Sequence, residues 1–283
     1  MFWNLCEGSV SVGNSTIDYA AFGRGTTPLV IIPGLSLRDV RGAGIGLALM
    51  YRLFAAEYRV YVIDKKFEIP EGCTAADLAE DTAAAMDALG ITDACVLGVS
   101  LGGMIAQELA VRHPELVEKL VLGVTASRVN DTMRTVVEKW IDLADRGDFG
   151  GIVKDMAEVM YSADYVKRYG WMFPLLAGFA KPKNEVRFLR LAKACLTCDA
   201  YERLDRISCP VLVLGGREDR IVTGEASLEI AGKLGCAVHL YDGLGHSAYE
   251  EAKDFNQRIY EFLKKDLQTG TKDFERSTGR KDG

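Results

Sequence analysis

Short apolar runs recur along the chain, and most end at a glycine, a proline or a charged residue. Leu29-Val30-Ile31-Ile32 stops at Pro33-Gly34, and Val60-Tyr61-Val62-Ile63 stops at Asp64. Cys95-Val96-Leu97-Gly98, Leu120-Val121-Leu122, Val211-Leu212-Val213-Leu214 and Val238-His239-Leu240-Tyr241 follow the same plan. Such runs, with little polar alternation, suit strands buried on both faces of a parallel sheet. Val10 to Asn14 and Ile17 to Phe22 predict two more strands around a tight turn at Gly13-Asn14. Helical spacing fills the gaps. Ala75 to Leu89 puts Leu78, Thr82, Ala85 and Leu89 on one face, and Leu101 to His113 is closed by Pro114. Gly224 to Leu234 and Tyr249 to Lys265 are amphipathic. Strands alternating with helices predict an α/β protein with a doubly wound, mostly parallel sheet.

One stretch breaks the rhythm. From Ser127 to Arg206 the spacing is helical, no strand pattern is evident, and large apolar residues such as Trp140, Met156, Tyr165, Trp171 and Phe179 accumulate. The expected organisation is therefore a core domain from residues 1–126 and 207–267, a helical cap over 127–206, and a polar, disordered tail over 268–283. Much of the cap's apolar content is expected to be ordinary core packing.

Composition narrows the partners. A net charge of −6, from 34 basic and 40 acidic residues without basic runs, argues against nucleic acid or an anionic membrane. No apolar run approaches the ~20 residues a membrane helix needs. Residues 1–7 lack the basic and apolar regions of a secretory signal. The seven scattered cysteines, an odd number, read as reduced thiols in the cytoplasm. Cys195-Leu196-Thr197-Cys198 is a single pair without nearby histidines, too little for a metal site. Gly42, Gly44 and Gly46 have the wrong spacing for a phosphate or dinucleotide loop. Neither metal nor cofactor is expected. Homodimer formation is left open.

The chemistry centres on Gly98-Val99-Ser100-Leu101-Gly102, which follows a buried strand and opens a helix. A serine on so sharp a turn projects its hydroxyl from the sheet, and the flanking glycines leave room for the strained backbone. A serine hydroxyl needs a base. Of the three histidines, His113 ends a helix and His239 lies within a strand; His246, in a loop after the last strand, is the candidate. Asp219, beyond the Val211–Leu214 strand, is the candidate to orient it, with Glu218 as rival. The backbone N–H groups of Leu101 and Leu35, or Ser36 in place of Leu35, are candidate oxyanion donors.

These residues resemble the site loops of the α/β-hydrolase superfamily. Ile32-Pro33-Gly34-Leu35, Gly98 to Gly103, Gly216-Arg217-Glu218-Asp219 and Gly245-His246 align with them in order. The resemblance spans roughly residues 8 to 266. It implies an eight-stranded sheet with helices on both faces and a cap inserted after the sixth strand. Two departures stand out. Pro33 occupies a place where many relatives have histidine, and Asp64-Lys65-Lys66-Phe67-Glu68-Ile69-Pro70 replaces a glycine-rich Gly-x-Gly-x-Ser loop. Serine as nucleophile argues against the aspartate-dependent haloalkane dehalogenases and epoxide hydrolases of this fold. The expectation is a serine hydrolase acting on a small-molecule acyl substrate, a small to medium apolar ester. Lactone, thioester or carbon–carbon bond cleavage, acyl transfer, and a non-catalytic ligand receptor are the alternatives.

Overall fold

The computed structural model describes residues 3–173 and 181–265. The expected tail over 268–283 and the apolar Phe179 lie outside the described residues. Eight strands form one sheet: β1 (Cys6–Val12), β2 (Ser15–Phe22), β3 (Thr27–Ile32), β4 (Tyr58–Lys66), β5 (Ala94–Val99), β6 (Val117–Gly123), β7 (Val211–Gly216) and β8 (Ala237–Tyr241). Their order is β1-β2-β4-β3-β5-β6-β7-β8. β1 and β2 form an antiparallel hairpin, and β2 runs antiparallel to β4. Every other pairing is parallel. The sheet is thus mostly parallel, as the unbroken apolar runs require.

Alternation along β3 shows why. Val30 and Ile32 enter the core on one face of the sheet, and Leu29 and Ile31 enter the other. The first face is covered by α2 (Ala75–Ala88), α3 (Leu101–Arg112) and a later helix, Gly224–Leu234. The second is covered by α1 (Gly44–Met50) and by Phe255–Lys264. Because both faces are buried, no position in the central strands could be polar without cost. Thr74 opens α2 with a reciprocal pair: its hydroxyl accepts the Asp77 N–H, and the Asp77 carboxylate accepts the Thr74 N–H.

Between β6 and β7 lie α4 (Asp131–Asp145), α5 (Phe149–Met160), α6 (Ala163–Tyr169), α7 (Glu185–Cys195) and a 3₁₀ turn at Tyr201–Arg206. Among the described residues of this segment, one bridge pairs Arg128 with Asp199 near its two ends. Met133, Val137 and Trp140 of α4 and Phe188 and Leu191 of α7 are buried and continuous with the first core. The Trp140 indole donates to the Asp155 carboxylate at 2.7 Å, so the polar end of the ring is satisfied.

Two elements differ from the sequence expectation. The helix expected over Tyr249 to Lys265 is two helices, Ala248–Glu251 (α9) and Phe255–Lys264 (α10), after Gly224–Leu234 (α8). Glu250 and Glu251 bind Tyr161 and Ser162, which fixes the first turn, while Phe255, Ile259 and Leu263 turn to the sheet. The second difference is α1, which its glycines conceal. The Glu7 carboxylate, on β1, accepts the N–H groups of Gly42 at 3.0 Å and Gly44 at 2.7 Å. A side chain distant in sequence thus satisfies the first N–H of the helix and one in the turn before it.

Candidate active site

Ser100 sits between β5 and α3 with φ 54° and ψ −121°, a backbone conformation that non-glycine residues rarely adopt. Surrounding contacts hold it there. Its N–H donates to Gly123 O at 2.9 Å, and its carbonyl accepts the Thr125 hydroxyl at 2.7 Å. The neighbouring glycines are steric necessities. A Cβ on Gly98 would lie 2.4 Å from Gly102 O, and one on Gly103 would lie 2.6 Å from the Thr125 side chain. At Gly102 a Cβ would meet the main-chain Ile32 O at 1.9 Å. Gly102→Ala is therefore expected to cost about 3 kcal/mol or more, read as a lower urea midpoint at unchanged slope. Gly46→Ala, in α1 with nothing within 4 Å of the new methyl, is the matched control and is expected not to destabilise.

The loops after β7 and β8 bring the other two candidates to this turn. His246 Nε2 is 2.9 Å from Ser100 Oγ, and His246 Nδ1 is 2.8 Å from Asp219 Oδ2. Both His246 and Asp219 are buried, at 3% and 6% exposure. The other Asp219 oxygen accepts the N–H groups of Ile221 at 2.8 Å and Val222 at 3.0 Å. Burial alone would raise the Asp219 pKa. The imidazole and the two backbone donors outweigh it, and the carboxyl stays below its ordinary value of 3.8. An ionised carboxylate only accepts, so Nδ1 carries the imidazole proton. That leaves Nε2 bare to accept the serine hydroxyl.

Gly34 packs against the same turn: a Cβ there would lie 3.2 Å from Ser100 Cβ and 3.7 Å from Ser100 Oγ. Leu35 follows it. Leu101 is the first residue of α3, so its N–H has no acceptor within the helix. A cavity of about 140 Å³ adjoins this loop, lined by residues including Gly34, Ser36, Val40, Leu47 and Leu191. The helical segment borders the histidine loop. Met160 O accepts the Ser247 N–H at 2.9 Å, Tyr161 donates to Glu250 at 2.7 Å, and the Ser162 N–H donates to Glu251 at 3.0 Å.

The rejected candidates have other partners. Glu218 is adjacent to Asp219 but makes no hydrogen bond or ion pair with His246, and Arg217 pairs with Asp242. His113 Nε2 is 3.0 Å from Glu80, and His239 stacks edge-on against Tyr241. The Cys195 and Cys198 thiols each donate to a backbone carbonyl. Burial pushes both thiols up, Cys195 to about 12, which makes them poor ligands. Among the described residues no cluster of His, Cys, Asp or Glu could hold a metal, and no helix is long and apolar enough to cross a membrane. Three residues that hold the site loops escaped the sequence reading: Thr125, on the Ser100 carbonyl; Lys65, whose ammonium donates to the Pro33 and Gly34 carbonyls; and Arg187, which donates to the Lys65 carbonyl. Thr125 and Lys65 lie at or just beyond the carboxyl ends of β6 and β4, which is the only signal they offered.

Comparison with known proteins agrees with this architecture. Residues 29–258 match the profile of the Alpha/beta hydrolase family. The chain belongs to that family. A Serratia proteamaculans protein provisionally named as the carbamate hydrolase RutD is 27% identical over 214 residues, covering 73% of this chain and 78% of its own. Two solved structures share the fold. MGS-M2, an α/β hydrolase from a Medee basin deep-sea metagenome library, superposes with a TM-score of 0.80 at 19% identity, covering 95% of this chain and 100% of its own. The enol-lactonase of Burkholderia xenovorans LB400 gives 0.78 at 22% identity, covering 90% and 99%.

Proposed function

We propose that this α/β hydrolase cleaves a small carboxylic ester through an acyl-enzyme on Ser100. The observation that carries the reading is the unbroken relay from Ser100 Oγ to His246 at 2.9 Å and from His246 to Asp219 at 2.8 Å, on a serine at positive φ. Ser100 Oγ attacks the acyl carbonyl as His246 Nε2 takes its proton. Asp219 stabilises the resulting imidazolium. The tetrahedral oxyanion lies against the N–H groups of Leu101 and Leu35. His246 then gives the proton to the departing alcohol. Water, deprotonated by the same imidazole, attacks the acyl-enzyme and releases the acid.

The cavity of about 140 Å³ beside Gly34 is walled by Arg38, Asp39, Asp64, Lys65 and Arg187 as well as by Val40, Leu47 and Leu191, on the side of the turn away from Ser100 and His246. The helical segment between β6 and β7 serves as the cap that closes over this region, with α7 contributing Leu191 to the cavity wall. A carbamate is the second reading, favoured by the name of the Serratia relative. Its carbonyl meets the same nucleophile, base and donors.

The test is a fluorophosphonate probe followed by a graded substrate series. Covalent labelling at Ser100 and turnover of short p-nitrophenyl esters, falling as the acyl chain lengthens, are expected. Absence of labelling would remove the nucleophile. Turnover of an aryl carbamate above that of the matching ester would shift the assignment to the second reading.

A further inference from the structure

Lys65 is an unusual residue in its place. It ends a buried stretch of β4, is 5% exposed, and stands where the sequence departs from the family's glycine-rich loop. Its ammonium donates to two main-chain carbonyls, those of Pro33 and, at 3.0 Å, Gly34. Among the described residues no carboxylate lies within 4.0 Å of Nζ. Burying an ammonium costs several kcal/mol, and no direct ion pair offsets it here. A methionine would remove that cost but leave the Pro33 and Gly34 carbonyls without the lysine donor, so it is those two bonds that have to explain the lysine.

The geometry of the peptide unit shows how. A trans peptide is planar, and its C=O and N–H point in opposite directions. The chain contains no cis peptide among its described residues. When Nζ holds the Gly34 carbonyl, the Leu35 N–H of the same unit must face away from the lysine. Gly34 in turn lies beside Ser100, where a Cβ on it would come within 3.2 Å of Ser100 Cβ. The second carbonyl, Pro33 O, fixes the preceding unit, so the turn cannot rotate about either peptide. We infer that Lys65 is a positioning residue that clamps the Pro33–Leu35 turn and aims the Leu35 N–H at the developing oxyanion. This inference rests on Ser100 being the nucleophile.

The charged and titratable groups around the clamp come from three elements. On β4, Asp64 adjoins it, accepting the Val40 N–H at 3.0 Å and the Arg187 guanidinium at 2.8 Å. Arg187 and Cys195 approach from α7, and Arg38 and Asp39 from the loop after β3. Arg187 also donates to the Lys65 and Lys66 carbonyls, at 2.9 and 2.8 Å, so the helical segment braces the strand end that carries the lysine. Burial pulls the Lys65 pKa down to about 8; Asp64 opposes this and Arg187 adds to it. Loss of the charge weakens charge-assisted bonds to the two carbonyls.

The experiment compares wild type, Lys65→Met and Lys65→Arg on a short p-nitrophenyl ester. Losing an oxyanion donor outright costs about 10²–10³ in rate, so a misaimed one in Lys65→Met is expected to lower kcat by about 10–100-fold. KM is expected to change little. Affinity for a trifluoromethyl ketone is expected to fall by the same factor as kcat/KM. Lys65→Arg keeps the charge and the donors, restores most of kcat, and abolishes a decline that wild type shows above about pH 8. A Lys65→Met enzyme that turns over and takes up fluorophosphonate at wild-type speed overturns the clamp and leaves Ser100 as nucleophile. Failure of the wild type to label overturns both. Should Lys65→Met not fold, a wild-type kcat that is flat from about pH 7 to about 10 overturns the clamp.

Discussion

Ser100→Ala is expected to lower kcat on a short ester by about 10⁶, close to 8 kcal/mol of transition-state stabilisation, with KM nearly unchanged. The size follows from the relay. Every proton the imidazole moves here, from the attacking hydroxyl, to the departing alcohol and from the deacylating water, belongs to a cycle that the Ser100 hydroxyl starts. His246→Ala is accordingly expected to match the serine variant, and the double variant to be no worse than either single one. This lack of additivity is what separates a working relay from three polar residues that merely sit together. The measurement is steady-state turnover of all three variants, checked by fluorophosphonate labelling. Wild-type turnover in Ser100→Ala would move the chemistry elsewhere in the molecule. Additive losses in the double variant would mean that the imidazole acts without the serine.

Asp219→Asn is expected to lower kcat by about 10⁴ while leaving the fold intact. The loop itself dictates the direction. Ile221 and Val222 both point N–H donors at one oxygen of residue 219. An asparagine must turn its own oxygen to them, which places its NH₂ against His246 Nδ1. Nδ1 then has to accept, the ring proton moves to Nε2, and Nε2 faces Ser100 as a donor that cannot take a proton. Stability shifts in a different sense. The Asp219 pKa is depressed in the folded chain, so its stabilising contribution is present above the ordinary value of 3.8 and disappears as pH falls through the folded value. Asp219→Asn is therefore expected to lose less stability on acidification than wild type. Urea midpoints at neutral and acid pH read this, and equal losses in the two proteins would contradict it.

Much of the framework was legible in the sequence because parallel strands buried on both faces leave an unmistakable trace. The runs at Leu29–Ile32, Cys95–Gly98 and Val211–Leu214 each lie within a central strand. Glycines at 98, 102 and 103 were legible for a related reason: close main-chain approach tolerates no side chain, so the spacing reports geometry directly. The meeting of Ser100, Asp219 and His246 could be anticipated because all three follow strand ends on one rim of the sheet. What stayed hidden depends on contacts between distant segments. The helix Gly44–Met50 is capped by Glu7, from a different strand, and its glycine content reads locally as loop. Thr125 matters only because its hydroxyl reaches Ser100 O, and Lys65 only because its ammonium reaches the turn after β3. No local pattern distinguishes either from an ordinary residue at a strand end.

The seam joining Met160, Tyr161 and Ser162 to residues 247–251 has a consequence for anyone recombining this protein with its relatives. The insertion and the stretch following the last strand form one mechanical unit, although more than eighty positions separate them along the polymer. A hybrid made by exchanging the insertion alone would inherit mismatched hydrogen-bonding partners next to the imidazole. Crossover points are better chosen so that both pieces travel from the same parent.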